Sequence, residues 1–256
     1  MNKAFADFVN KALVIHKGQC IQRFYLQLEG YRARLPYVCC WIRFAVNHFV
    51  QELELCIPEM TLDYLPERFV FTCESLRLLK LDLPGYVLKL RRTVTLINVR
   101  TLYLKSMSFR DDKVIHKLIS GCPKLENLGM NNCSMYGMKI LNICSLELQN
   151  LSLIDCQIYS SCEVNISVPK LQSFRYHCPL TVAGSNYVEF KNVVTTVPMC
   201  PLFNLKTVNL RNVVGVNKLD LVGFLVKNAE VLEKIVTISA EGVAKEIVLE
   251  GIKGHA

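Results

Sequence analysis

The sequence lacks what an enzyme, a metalloprotein or a membrane protein needs. Its twelve cysteines include no Cys-x-x-Cys pair and its five histidines show no ligand spacing, which argues against a zinc site. There is no Walker-type phosphate loop, no Gly-x-Gly-x-x-Gly turn and no Gly-x-Ser-x-Gly elbow. His177 and Cys178 are adjacent, but neighbours in a strand point to opposite faces and cannot form a base–nucleophile pair without further help. We therefore expect no catalytic residue, no metal and no cofactor. No apolar run spans a bilayer either: "YVCCWIRFAV" is interrupted by Arg43 and falls short of the roughly 20 residues required. Asp7 and Lys11 break any signal-peptide core at the N-terminus. The expected setting is the cytosol or nucleus, where the cysteines stay reduced and the sequons at Asn132, Asn150 and Asn165 stay unmodified.

What is present is periodicity. An apolar residue, two free positions, an apolar residue, one free position and a third apolar residue recur along the chain. The beat reads "VQELEL" from Val50, "LRLLKL" from Leu76, "VRTLYL" from Val99 and "LENLGM" from Leu125. It returns as "LQNLSL" from Leu148, "LQSFRY" from Leu171 and "LKTVNL" from Leu205. A weaker copy, "IQRFYL", starts at Ile21, and a distorted one starts at Leu232. Starting points from Val50 to Leu205 lie 26, 23, 26, 23, 23 and 34 residues apart. All but the last fall within the leucine-rich-repeat period of about 20–29 residues.

The closing positions of each beat alternate as a short strand requires. One such strand cannot bury its apolar face alone, so neighbours must stack into a parallel sheet. The ninth position closes the strand, and Cys133 and Cys156 occupy it. A thiol fits that tight corner as a small hydrophobe, so both are expected to be architectural. The vicinal pair Cys39 and Cys40 is expected to serve core packing rather than redox chemistry.

Among the returns, "RDDKVIHKLISGCP" predicts a helix capped by Asp111 or Asp112, with Val114, Ile115, Leu118 and Ile119 inward and Gly121 as terminator. "WIRFAVNHFV" predicts a second, with Trp41, Ala45 and Phe49 on one face. "DLPGYVLKLRRTVTLI" reads as irregular or strand-like. So does "PLTVAGSNYVEFKNVVTTVP", which has room for an extra hairpin.

The succession "WIRFAVNHFVQELEL", "LPERFVFTCESLRLLKL" and "VRTLYLKSMSFRDDKVIHKLISGCPKLENLGMNNC" resembles plant F-box/leucine-rich-repeat proteins of the FBD-containing group. "LVGFLVKNAEVLEKIVTIS" is similar to the core of the FBD region. The resemblance runs over roughly residues 5 to 238 and implies the substrate-recognition part of a Skp–cullin–F-box ubiquitin ligase. In that group the F-box precedes the segment resembling "FADFVNKALVIHKGQCIQRF", so adaptor docking maps onto no residue here. A Skp adaptor is expected as a partner only if an F-box is supplied upstream.

The expected fold is therefore an α/β leucine-rich-repeat solenoid. It would carry a parallel sheet on the concave face, mixed helical and irregular returns, and a C-terminal FBD-like cap. The expected division is a repeat region over residues 1–199 and an FBD-like region over 200–256. An amphipathic helix in "LVGFLVKNAEVLEKI" would cap the array, with Leu221, Phe224, Leu225 and Val231 or Leu232 inward. Lys227, Glu230, Glu233 and Lys234 would face water. The expected function is non-catalytic protein binding. The free positions place Glu52, Glu54, Lys80, Asp82, Tyr103, Lys105, Asn127 and Asn131 on the concave face, followed by Ser173, Arg175, His177, Thr207, Asn209 and Arg211. An acidic start grading into a basic end would orient a dipolar partner. Two alternatives are a small-molecule-sensing receptor, for which Arg175, His177 and Arg211 are candidates, and a nucleic-acid binder using the net charge of +8. The dispersal of that charge speaks against nucleic acid.

Overall fold

Each apolar beat becomes one short strand. A computed structural model of the chain describes residues 3–16, 18, 20–28, 35–57, 65–158, 162–177, 202–212, 225, 228–238 and 244–248. Strands β1 (Arg23–Gln27), β2 (Glu52–Cys56), β3 (Leu78–Asp82), β4 (Thr101–Lys105) and β5 (Asn127–Asn131) pair in parallel, in chain order. The ladder passes over β6 (Ile140–Cys144) to β7 (Asn150–Ile154), and over β8 (Glu163–Ser167) to β9 (Ser173–His177). Strands β10 (Thr207–Arg211) and β11 (Lys234–Ile238) continue it, and β12 (Ala244–Val248) adds an antiparallel edge. The weak copy at Ile21 and the distorted one at Leu232 thus supply β1 and β11.

The nine parallel strands keep one register throughout. Their second residues therefore form one column, from Phe24 and Leu53 to Val208 and Ile235, and their fourth residues form another, from Leu26 to Thr237. Apart from half-buried Phe24, both columns are buried. Burying one such apolar side chain contributes roughly 1.5–3 kcal/mol, and a slip of one residue would turn a whole set into water. Val50, Leu76, Val99, Leu125, Leu148, Leu171 and Leu205, which open the beats, are buried just ahead of their strands.

Four strand exits are built alike. Ser106, Asn132, Asp155 and Asn212 follow β4, β5, β7 and β10 in left-handed backbone, with φ of 58°, 48°, 50° and 57°. Asn and Asp tolerate that conformation because their short polar side chains bond locally. Cys133 and Cys156 come next and are fully buried. Each thiol donates at 3.5 Å to a carbonyl of the preceding strand, Cys133 to Leu104 and Cys156 to Met130. A hydrogen bond to Cys133, together with burial, holds the Cys156 thiol well above the ordinary range. The architectural reading of this pair agrees with the geometry. Cys39 and Cys40 differ from expectation: they lie within a helix, Cys39 half-buried and Cys40 exposed, so they do not fill the core.

Among the described residues, four helices occupy returns or the N-terminal end. Helix α1 (Lys3–Ile15) packs on α2 (Leu35–Asn47), where the indole Nε1 of Trp41 donates to Asn10 Oδ1 at 2.8 Å. The buried face of α2 is Val38, Trp41, Ile42 and Ala45. Phe49, expected on that face, is instead past the helix end, left-handed at φ 51° and exposed. The chain must turn there to enter β2, and Val50 takes the buried slot with its N–H on the Ala45 carbonyl. Helix α3 (Glu67–Val70) is one turn. In α4 (Asp112–Ser120) the N-cap is Asp111, accepting from the Lys113 N–H at 2.9 Å, and Val114, Ile115, Leu118 and Ile119 are buried as expected. Gly121 ends α4 at φ −77°, so no left-handed turn requires glycine there.

Strands β6 and β8 form a separate two-stranded parallel sheet on the return side, which the repeat pattern did not reveal. Asp112 of α4 anchors it, accepting from the N–H groups of Lys139 and Ile140 at 2.7 and 3.1 Å. The segment 83–98 is irregular, as expected, while the hairpin envisaged in 179–198 lies outside the described residues.

The C-terminal end departs from the expected cap. Leu221, Phe224 and Lys227 lie outside the described residues. A helical turn is present at Leu225, whose carbonyl accepts from the Ala229 N–H at 2.9 Å. Yet the helix does not continue through Lys234, which is the first residue of β11; of the two expected inward residues, Leu232 is buried and Val231 exposed. Leu232 opens a strand beat, and the Glu233 and Lys234 N–H groups bond the Lys206 carbonyl as in the other repeats. Ladder bonding outcompetes helix propagation here because a paired strand buries Leu232 and Ile235 on the stack. Strand β10 pairs in parallel with β9.

Candidate functional site

The first, third and fifth residues of each parallel strand project away from the core, onto one open face of the sheet. All fourteen residues expected on such a face stand there: Glu52 and Glu54 on β2, Lys80 and Asp82 on β3, Tyr103 and Lys105 on β4, Asn127 and Asn131 on β5. Ser173, Arg175 and His177 on β9, and Thr207, Asn209 and Arg211 on β10, continue the array.

The register decides which charges meet. Arg23 Nη2 lies 2.6 Å from Glu54 and its Nε lies 3.8 Å from Glu52, while Lys80 Nζ is 3.4 Å from Glu54. Lys105 Nζ is 2.8 Å from Asp82, and that hydrogen bond raises the lysine's affinity for its proton. The acidic start of the face is thus matched cation for anion rather than left as a negative field. At the other end, among the described residues, neither Arg175 nor Arg211 has an ion-pair partner. His177 faces Arg211 across the ladder. Burial, and then the Arg211 guanidinium, lower its affinity for a proton below the ordinary histidine value. The face therefore grades from balanced to basic.

Between these ends the face is uncharged. The Asn150 amide donates to Asn127 Oδ1 at 2.7 Å, and the Asn127 amide donates to Thr101 Oγ1 at 3.2 Å. The Asn131 amide donates to the Tyr103 hydroxyl at 3.1 Å. The Tyr103 ring leans over the next strand: a Cβ on Gly129 would stand 2.4 Å from its Cδ2. Beyond the ring, a depression of about 340 Å³ opens over Ser152 toward Arg175. The fourteen-residue set omitted Gly129, Asn150, Ser152 and Ile154. The alternation of "LQNLSL" already placed Asn150 and Ser152 on this face. Gly129 carries no side-chain signal at all.

Elsewhere, a hollow of about 550 Å³ near the strand starts is lined by Arg77, Arg100 and Lys124 among others. Arg100 is paired with Glu126, and Lys124 donates to Asn98 at 2.8 Å. Among the described residues no group of three or more His, Cys, Asp or Glu side chains could hold a metal. Cys178, beside His177 in sequence, lies outside the described residues.

Comparison with known proteins finds the family "FBD-associated F-box protein At5g56370, LRR repeats" over residues 38–191 and "FBD" over residues 194–236. The chain is 31% identical over 175 residues to the FBD-associated F-box protein At4g10400 of Arabidopsis thaliana, covering 68% of this chain and 42% of that protein. It is 32% identical over 142 residues to the putative FBD-associated F-box protein At1g55030 of the same plant, covering 55% and 33%. With the F-box/FBD/LRR-repeat protein At5g56420 the identity is 29% over 155 residues, covering 57% and 34%. The chain thus spans less than half the length of these relatives. No solved structure matches it.

Proposed function

We propose, since this chain belongs to the family of FBD-associated F-box proteins with leucine-rich repeats, that it is a non-catalytic protein-binding module. Its repeats form a solenoid whose concave face is the open face of the sheet, and a protein target lies along that face. In a ubiquitin ligase the module would select the target, and a Skp adaptor would dock through an F-box carried upstream. The observation that carries this reading is the unbroken register of nine parallel strands. It sets three rows of outward-facing residues, most of them polar, at regular intervals on one surface. Such a surface suits many weak polar contacts around a few anchors, as protein interfaces require. Nucleic acid suits it less: affinity there grows with each phosphate neutralised, and the face offers few cations not already paired.

Site-specific photo-crosslinking tests the reading. A photoreactive residue at Thr207, on the open face, should form adducts with a protein in plant extract. The same group at exposed Leu146, off that face, should not. Adducts at Leu146 with none at Thr207 would overturn it.

A further inference from the structure

The depression over Ser152 has walls of different chemistry. In the third column of the ladder, Tyr103, Gly129, Ser152 and Arg175 stand on four adjacent strands. Gly129 has no side chain, so the Tyr103 ring lies down across it and forms an aromatic wall, held by the Asn131 amide. Arg175 forms the opposite wall, exposed and without an ion-pair partner among the described residues. Ser152 offers a hydroxyl on the floor. Arg211, likewise unpaired, stands one strand further on and two residues along.

We propose that this depression is an anchor subsite for an acidic side chain, Asp or Glu, of a target segment lying across the strands. Arg211 takes a second carboxylate of the same segment. The proposal rests on the protein-binding reading above and adds the chemistry of the recognised residue. Charge singles out the occupant: every acid on the face of β2 and β3 is already matched by a cation, while among the described residues the guanidiniums of β9 and β10 have no such partner. A guanidinium in a shallow wall binds a carboxylate through charge-assisted, bidentate hydrogen bonds. The Tyr103 ring limits how far the incoming chain can approach β4, which makes Gly129 a specificity-determining residue.

A fluorescently labelled hexaglutamate peptide is the probe, read by anisotropy at low salt, with hexalysine as control. Six residues reach at most about 20 Å, enough to cross the roughly 14 Å from β4 to β9. Hexaglutamate should bind saturably and hexalysine should not. Arg175→Ala should weaken binding about tenfold or more, the usual loss for a hydrogen bond to a charged group. Gly129→Ala should weaken it several-fold by lifting the Tyr103 ring into the depression. Arg77→Ala, an exposed arginine outside the face, should leave it unchanged. Circular dichroism checks that each variant is folded. Equal binding of both peptides, equal binding by Arg175→Ala and wild type, or an equal loss in Arg77→Ala would overturn the subsite. If hexaglutamate fails while the Thr207 crosslink forms, the acidic-anchor chemistry falls and the binding face stands. If hexaglutamate binds as expected while adducts form at Leu146 and none at Thr207, the protein-binding reading falls and, with it, the role of the depression as a target subsite, leaving only its affinity for carboxylates.

Discussion

Val94 fills the space where a side chain on Gly121 would stand: a Cβ on the glycine would lie 2.4 Å from Val94 Cγ1 and 2.7 Å from the Val94 carbonyl oxygen. The Leu96 N–H bonds the Gly121 carbonyl at 2.9 Å and fixes that approach. Glycine ends α4 because two chain segments touch, not because of its φ. Gly121→Ala should cost about 1–3 kcal/mol, the usual penalty of overpacking. Val94→Ala in the same chain should recover only the side-chain part of that loss. Urea unfolding midpoints of the single and double variants measure both.

Cys122 follows directly and is buried in the core, which pushes its thiol up to about 12 from 9.0. The folded chain therefore holds this proton more tightly than the unfolded chain does. The contribution is fully present below pH 9 and is lost as pH rises from 9 toward 12. The rise from 9.0 to about 12 corresponds to roughly 4 kcal/mol at its limit. Stability should fall between pH 9 and 11, and the fall should be shallower in Cys122→Ala. Denaturant titrations at a series of pH values give the two slopes.

The chain's one tryptophan reports on the N-terminal end. Trp41 is buried in α2, with its Nε1 on Asn10 and the Phe5 ring edge-on at 6.2 Å. Asn10→Ala leaves a buried donor unpaired, at about 1–3 kcal/mol. Fluorescence should show a red-shifted emission and an earlier unfolding transition for this variant. Unchanged emission would mean that α1 does not shield the indole.

Thiol labelling distinguishes the corner cysteines from the surface ones. Cys20 and Cys40 are exposed and should react with iodoacetamide within minutes. Cys133 and Cys156, closed in behind the strand exits, should react only after unfolding. Peptide mass spectrometry after timed labelling reads each site separately. Rapid native labelling of Cys133 and Cys156 would contradict the packing described.

Most of the sheet was legible because its signal is local and repeated: each beat states its own strand, and stacking needs only neighbours. The fourteen polar positions of the face followed from the same alternation. Ion pairing did not, because Arg23 meets Glu54 only once β1 and β2 are in register. Gly129 escaped notice because its role lies in the space it leaves for Tyr103. The β6–β8 sheet was missed because its strands sit within single returns and repeat only once. The C-terminal helix was extended too far because a 3.6-residue pattern and the beat from Leu232 share the same apolar residues. Phe49 fits a four-residue step, yet the chain needs that position for a turn.

The constant register also makes the open face a ruler. Its marks are the strands, about 4.8 Å apart. A partner in polyproline II conformation advances about 3.1 Å per residue and turns once every three, so one turn covers about 9.3 Å, close to two strand spacings. Residues i and i+3 of such a segment come into phase with β4 and β7, the strands of Tyr103 and Ser152. A β-strand partner presents a side chain to the face only every second residue, about 6.8 Å, so its second contact falls between two marks. A segment in polyproline II conformation laid across the strands would therefore meet the face with every third residue.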